Sequence, residues 1–396
     1  MIIKPRTRGF ICTTAHPLGC AKQVQKQIDY VTQRPTIHGP KNVLIIGAST
    51  GYGLASRIVA AFGAKANTIG VYRPSTATAT RTASAGWYNS AAFEQAAESA
   101  GLQSYSVTGD AFTHEIKSKT AELIAAKLGK VDLVVYSVAT ARRTDPQTDQ
   151  TYHSTLKPIG QPYTNKTVNF HTGEVSSVTL EPATDQEIAD TVAVMGGDDW
   201  KQWIDVLAEA GVLADDAVTI AFSYIGSKIT QPIYRDGTIG QAKDHLERTA
   251  HELDQRLAAT GGHAYVTVGK ALVTQSSSAI PVVPLYMSIL YKVMKTKGIH
   301  EGTIEQMYRL FSERLYGPEI VPVDEEGRIR IDDWEMRGEV QAEVAKLWAQ
   351  IDTDNIYELS DLASYRQEFF RLFGFEVDGI DYEADVDPAV TVPHVE

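Results

Sequence analysis

The stretch that most restricts what this chain can fold into is "NVLIIGASTGYGLASRIVAAFG", residues 42–63. Residues 42–47 form an apolar run with no polar alternation, which predicts a strand covered on both faces, as in the middle of a parallel sheet. Three glycines follow in the spacing G-x3-G-x-G, and 53–63 then read as a helix. In that order Gly47 permits a tight turn, Gly51 lets the backbone approach a pyrophosphate, and Gly53 lets the helix pack close to the strand. The free N–H groups at the helix start face an anion. Gly47, Ala48, Ser49, Thr50, Gly51, Tyr52 and Gly53 are therefore the expected dinucleotide loop. The competing reading is a tight β–α turn that holds nothing. The position of the loop, after a strand and opening a helix at the head of an alternating series, favours the dinucleotide.

That series continues. Residues 67–72, 103–109, 131–139, 217–224 and 264–269 read as further strands, and 90–101, 115–129 and 241–259 as the helices between them. The pattern predicts an α/β fold, an enlarged Rossmann arrangement with a doubly wound, mostly parallel sheet. Residues 163–182 break the rhythm by alternating polar and apolar around "HTGE", which predicts a β-hairpin within an insertion spanning 145–182. Helical patterns follow at 185–195 and 199–211. The last third, from 276 to 396, reads as a mostly helical, aromatic-rich cover, and residues 1–40 as an N-terminal extension. With no internal repeat or linker, 1–396 is expected to be one decorated domain.

Composition excludes several classes. A formal net charge of −12 argues against a nucleic-acid-binding surface. Cys12 and Cys20 flank His16 too sparsely for a metal site, so no metal is expected. No apolar run reaches the roughly 18 residues of a membrane span, and the opening residues lack a secretory apolar core. A cytoplasmic protein is expected.

The end of the second strand decides between dinucleotides, because a carboxylate there suits the ribose 2′-OH of NADH and an arginine the 2′-phosphate of NADPH. "GVYRPSTATATR" has no acidic residue; Arg73, with Pro74 and Ser75 behind it, predicts a phosphate grip. The expectation is NADPH favoured over NADH, with NADH possible. Alternatively Arg73 lies on a solvated loop and either cofactor serves. After the third strand "GDAF" supplies Asp110 and Ala111 toward adenine or a backbone N–H, and after the fourth Val138 and Ala139 wall the ribose.

A tyrosine with a lysine is the pairing a reductase uses to hand a proton to a carbonyl or enolate. Tyr224 and Lys228 have the Y-x3-K spacing of short-chain dehydrogenases, but Gly226 and Pro232 argue against the helix that spacing needs. Tyr234 and Lys243, Y-x8-K, lie in the loop after the fifth strand and near the start of the next helix. There the ammonium is expected to pull the phenol below its ordinary pKa of about 10 and ease proton donation.

"RGFICTTAHPLGC", "GASTGYGLASRI", "VMGGDDW", "PIYRDGTIGQAKDHLERTAHEL", "LVTQSSSAIPVVPLY" and "IDDWEMR" together resemble the trans-2-enoyl-CoA reductases, including the FabV-type enoyl-acyl-carrier-protein reductases, from residue 1 to about 385. The resemblance implies a monomer that reduces the C2=C3 bond of a 2-enoyl thioester carried on CoA or on acyl-carrier protein. It implies Tyr234 as proton donor, Lys243 as cofactor-binding lysine and Tyr224 as the contact to the thioester carbonyl. Leu272, Val273 and Thr274 would line the nicotinamide site. Ile280 and Leu285 fit a wall for the acyl chain, and equally a core helix. Lys292, Lys295 and Lys297 fit the phosphates of CoA, an acidic carrier, or simply a solvated face. Two departures stand out: "YRPS" replaces the family's common "FFEK", and Gln241 replaces a common lysine. The other readings are a carbonyl-reducing dehydrogenase using Tyr224 and Lys228, and a non-catalytic dinucleotide sensor.

Overall fold

Residues 1–9, 11–317 and 319–396 are described by a computed structural model. The unbroken apolar runs form the strands they predict: β1 (Asn42–Ile46), β2 (Asn67–Tyr72), β3 (Ser104–Thr108) and β4 (Val131–Tyr136). The predicted hairpin pairs β5 (Tyr163–Asn169) antiparallel to β6 (Glu174–Leu180). Two further strands, β7 (Leu213–Ser223) and β8 (His263–Val268), continue the sheet, and β9 (Ile329–Arg330) adds a short edge strand. The spatial order is β3-β2-β1-β4-β7-β8-β9, with every pair parallel. The expectation of a helical tail missed β9, whose two residues are too few to display a period. Beyond β3, Ser106 and Thr108 exchange backbone hydrogen bonds with residues 394 and 396, which covers that edge.

The helices are α1 (Pro17–Thr32), α2 (Gly51–Ile58), α3 (Ala85–Ser99), α4 (His114–Lys127), α5 (Asp185–Met195), α6 (Asp198–Glu209), α7 (Thr238–Leu257), α8 (Val283–Thr296), α9 (Thr303–Arg309), α10 (Gly338–Gln350) and α11 (Leu362–Arg371). Helix α1 lies within what the sequence presents as an extension. It starts on Pro17, and His16 caps it by accepting the Gly19 N–H at 3.3 Å.

Successive side chains along β1 go to opposite faces. Val43 and Ile45 join a core with α1, α2 and α9, while Leu44 and Ile46 join one with α4, α6 and α7. This double burial is why the strand has no polar alternation. A third core holds α8, α10 and α11 together with Val168 and Phe170 of the hairpin. Eleven of the 14 residues of α8 are buried, so it is a central helix with no solvent face of its own.

Candidate active site

All seven strands point the same way, so β1, β4, β7 and β8 deliver their following loops to one edge of the sheet, where open α/β sheets bind ligands. At the end of β1, Gly47 has φ +88°, and a Cβ there would lie 2.0 Å from the Ser137 carbonyl oxygen. A Cβ on Gly53 would lie 2.0 Å from the Gly47 carbonyl oxygen. Both glycines are required by close backbone approach. Gly51 differs: its φ is +55°, and a Cβ there would meet nothing within 4 Å. The turn thus leaves open space beside the first N–H groups of α2, the surroundings a pyrophosphate needs. Tyr52 locks the loop to the other half of the edge. Its ring stacks on Phe222 at 4.9 Å, and its hydroxyl donates to the Lys270 carbonyl at 3.1 Å.

The loop after β7 places the two tyrosines. Their rings meet edge to face, with centroids 4.9 Å apart. The Tyr224 hydroxyl donates to Glu335 Oε1 at 3.2 Å. Tyr234 follows a single 3-10 turn at Gln231–Ile233, and α7 begins at Thr238. Lys243, in the second turn of α7, donates from Nζ to the Phe222 carbonyl at 2.9 Å. Burial lowers its pKa from 10.5 to about 8, opposed by Glu247. Burial raises the Tyr234 phenol well above its ordinary value, so the expected lowering by Lys243 is corrected: loss of water around the ring outweighs a cation whose hydrogen bond goes elsewhere. Tyr224 is also raised, first by burial and then by the charge of Glu335. Tyr224 and Lys228 lie outside any helix, and Lys228 is exposed.

Leu272 and Val273 are buried beyond β8, and the Val273 N–H donates to the Tyr291 hydroxyl at 3.1 Å. The Thr274 N–H donates to Ser277 Oγ at 2.9 Å. Ile280 and Leu285 belong to the third core, Leu285 without exposure. Of the three lysines near the end of α8, Lys295 donates to Asp361 Oδ2 at 2.8 Å. Gln241 is exposed on α7. At the nucleotide end, Val138 is half-buried and Ala139 exposed. Ala111 accepts hydrogen bonds from Lys117 Nζ at 3.0 Å and Trp203 Nε1 at 3.1 Å. Arg73 Nη1 lies 3.2 Å from Asp110 Oδ2.

Residues 81–316 match the family described as the trans-2-enoyl-CoA reductase catalytic region. The chain belongs to the trans-2-enoyl-CoA reductase family. Residues 2–79 match the NAD(P)H binding domain of trans-2-enoyl-CoA reductase, and 323–386 a family described as the enoyl reductase FAD binding domain. The chain is 58% identical over 395 residues to an enoyl-[acyl-carrier-protein] reductase [NADH] of Flavobacterium johnsoniae, covering 100% of both. It is 56% identical to a trans-2-enoyl-CoA reductase [NADH] of Ruminiclostridium cellulolyticum, covering 99% of both. The solved trans-2-enoyl-CoA reductase of Clostridium acetobutulicum in complex with NADH superposes with a TM-score of 0.96 at 45% identity. That of Treponema denticola in complex with NAD superposes with a TM-score of 0.95 at 50% identity. In both cases 98% of each chain is covered.

These relatives overturn the expected preference for NADPH: they are named for NADH, and the solved reductases hold NADH and NAD. The structure supplies the physical reason. Arg73 is not a bare cation, because Asp110 from the end of β3 stands against it. A 2′-phosphate at that corner would meet a carboxylate as well as the guanidinium. Pro74 and Ser75 follow Arg73 on the same loop, and the Ser75 carbonyl accepts from the Ser84 N–H at 2.8 Å.

Sequence reasoning missed a buried group at the centre of this site. Glu335, with 0 % exposure, accepts from Tyr224, from the Tyr286 hydroxyl at 2.6 Å and from the Ala271 N–H at 2.6 Å. The only available signal was the pair of large apolar residues, Trp334 and Met336, that flank it in the otherwise charged stretch "DDWEMR".

Proposed function

We propose that this reductase reduces the C2=C3 double bond of trans-2-enoyl thioesters in fatty acid synthesis, using NADH, with Tyr234, Tyr224 and Lys243 as its working residues. The observation that carries this reading is the edge-to-face pair of Tyr224 and Tyr234 in the loop after β7, a strand whose Phe222 stacks on Tyr52 of the glycine loop. The open space at Gly51 and the close approaches at Gly47 and Gly53 fit a dinucleotide pyrophosphate.

NADH held by the glycine loop and Lys243 would supply the hydride that C3 of the enoyl group takes up. Negative charge then develops on the thioester oxygen, and Tyr224 donates a hydrogen bond to it. Tyr234 supplies the proton that completes the saturated thioester. Burial keeps the Tyr234 phenol protonated between turnovers but also makes it a weaker acid, so donation relies on the enolate being the stronger base. Lys243, fixed by the Phe222 carbonyl, holds the cofactor ribose. Leu272, Val273 and Thr274 line the nicotinamide, and Ile280 and Leu285 form the apolar wall around the acyl chain. Asp110, Ala111, Val138 and Ala139 frame the adenosine end. The same reading takes the working unit as a monomer in the cytoplasm; among the described residues no helix is long and apolar enough to cross a membrane.

The test follows loss of reduced-nicotinamide absorbance with crotonyl-CoA and with crotonyl-acyl-carrier protein as separate substrates. NADH oxidation with either thioester is expected, and Tyr234→Phe should lower kcat roughly 10²–10⁴-fold, the usual worth of a positioned acid. Full activity of Tyr234→Phe would remove it from the mechanism. Oxidation with ketones but not thioesters would overturn the function.

A further inference from the structure

We infer that Glu335 is a positioning residue for enoyl reduction, orienting the Tyr224 hydroxyl so that its hydrogen points at the thioester oxygen. The inference rests on the reading of Tyr224 given above and concerns how that tyrosine is made ready.

Tyr224 has one hydroxyl hydrogen. Its oxygen lies 3.2 Å from Glu335 Oε1, and with an ionised Glu335 that hydrogen is drawn to the carboxylate and away from any substrate. A neutral Glu335 reverses this bond. Its own O–H then donates from Oε1 to Tyr224 Oη, and Tyr224 keeps its hydrogen for the thioester. The remaining partners keep their hydrogen bonds to the neutral form, although each bond is stronger to the anion. Oε1 still accepts from Tyr286, whose oxygen accepts in turn from Gln341 Nε2 at 3.1 Å, and Oε2 still accepts the Ala271 N–H. The geometry also ties the two halves of the site, because Ala271 directly precedes the Leu272–Thr274 segment.

The surroundings of Glu335 favour the neutral form. The residue has no exposure, and burial raises its pKa. Asp332, on its own segment, pushes in the same direction. Lys270, after β8, opposes it; Tyr286 from α8 and the Ala271 N–H also favour the anion through their hydrogen bonds. Tyr224 after β7 and Tyr52 of α2 feel the same carboxylate and are themselves raised. Lys270 is lowered to about 8, chiefly by burial, and its Nζ is turned to the Glu301 carbonyl at 3.0 Å, not to Glu335.

The experiment compares Tyr224→Phe, Glu335→Gln, Glu335→Leu and the double variant Tyr224→Phe/Glu335→Leu, measuring kcat/KM for crotonyl-CoA at saturating NADH across pH. Glutamine keeps two of the neutral acid's bonds, its NH₂ donating to Tyr224 and its carbonyl accepting from Ala271, and gives up the acceptor for Tyr286. Glu335→Gln is therefore expected to keep kcat/KM within about threefold of the parent and to lose whatever alkaline decline comes from ionisation of Glu335. Glu335→Leu should lose roughly 10–100-fold, the order seen when a residue supporting a reacting group is removed. In the Tyr224→Phe background, Glu335→Leu should cost nothing further, since its effect runs through that hydroxyl. Independent, multiplying losses, or an unchanged alkaline decline in Glu335→Gln, would overturn the inference while leaving Tyr224 in place. Full activity of Tyr224→Phe would instead overturn the reading of Tyr224, and this inference with it. Should Glu335→Leu fail to fold, the pH profile of Glu335→Gln decides alone.

Discussion

At the scale of single residues, much of this site depends on how little space the tyrosines have. Gly226, with φ +78°, sits where a Cβ would lie 2.9 Å from the Tyr224 hydroxyl and 2.5 Å from Thr230 Oγ1. Gly226→Ala combines that clash with a backbone conformation costing about 1–3 kcal/mol for a residue with a side chain. It is expected to lower kcat/KM for crotonyl-CoA at least about tenfold while leaving NADH affinity nearly unchanged, since the atoms nearest that Cβ, on Thr230 and Tyr224, belong to the loop after β7 and not to the glycine loop. Lys243 gives a second expectation. Its pKa falls from 10.5 to about 8, so it is charged below that value and neutral above it. NADH affinity, measured by fluorescence titration, should weaken as pH rises through about 8, and Lys243→Met should bind weakly at every pH. Some of this was legible in the sequence. Gly47, Gly51 and Gly53 announce themselves by spacing, and the Y-x8-K pair by its place after a strand. Glu335 did not, because 111 residues separate it from Tyr224 and only folding joins them. The charge of Arg73 misled for a similar reason: its partner Asp110 lies 37 residues away, in the loop after another strand.

At the scale of elements, the loop after β3 is held from beneath by a buried ion pair. Lys117 of α4 donates to Asp199 of α6 at 2.7 Å, and also to the carbonyls of Ala111 and Phe112. Tyr136, at the end of β4, donates to the other oxygen of Asp199 at 3.0 Å. Burial lowers the pKa of Lys117 and raises that of Asp199, so each depends on the other to stay charged. Removing one partner strands the other charge in the core. Asp199→Ala is expected to cost about 3–5 kcal/mol in denaturant unfolding, whereas replacing both partners with apolar residues of similar volume should cost far less. The sequence pattern located α4 and α6 but not this link, because Lys117 and Asp199 look like ordinary polar positions on two amphipathic helices. The central strands were the easiest elements to read, since burial on both faces removes polar residues from them. The edge strand β9 was the hardest: two residues offer neither length nor alternation.

At the scale of the whole molecule, the doubly wound sheet delivers the nucleotide half of the site, and a distant set of helices closes the other half. The inserted hairpin connects them. Lys166 of β5 donates to the carbonyls of Trp348 and Ile351 at the end of α10, each at 2.9 Å. Thr167, its neighbour, accepts from the Val282 N–H at 3.4 Å where α8 begins. There Val282 is held at φ +72°, a conformation that branched side chains resist, and the Val283 N–H closes a tight turn onto the Pro281 carbonyl at 2.8 Å. The hairpin therefore braces a strained turn, 115 residues away in sequence, that opens the buried helix beside the tyrosines. This geometry has a consequence in time. The β–α units around the glycine loop need only short-range closures, whereas the proposed acyl wall must wait for the hairpin to find α8 and α10 across a long stretch of chain. On dilution from denaturant, the ability to quench NADH fluorescence should return before the ability to oxidise it with crotonyl-CoA. Simultaneous recovery would mean that the two halves assemble as one event. For an interval during its own assembly, then, the enzyme should hold its nucleotide with nowhere yet to put an acyl chain.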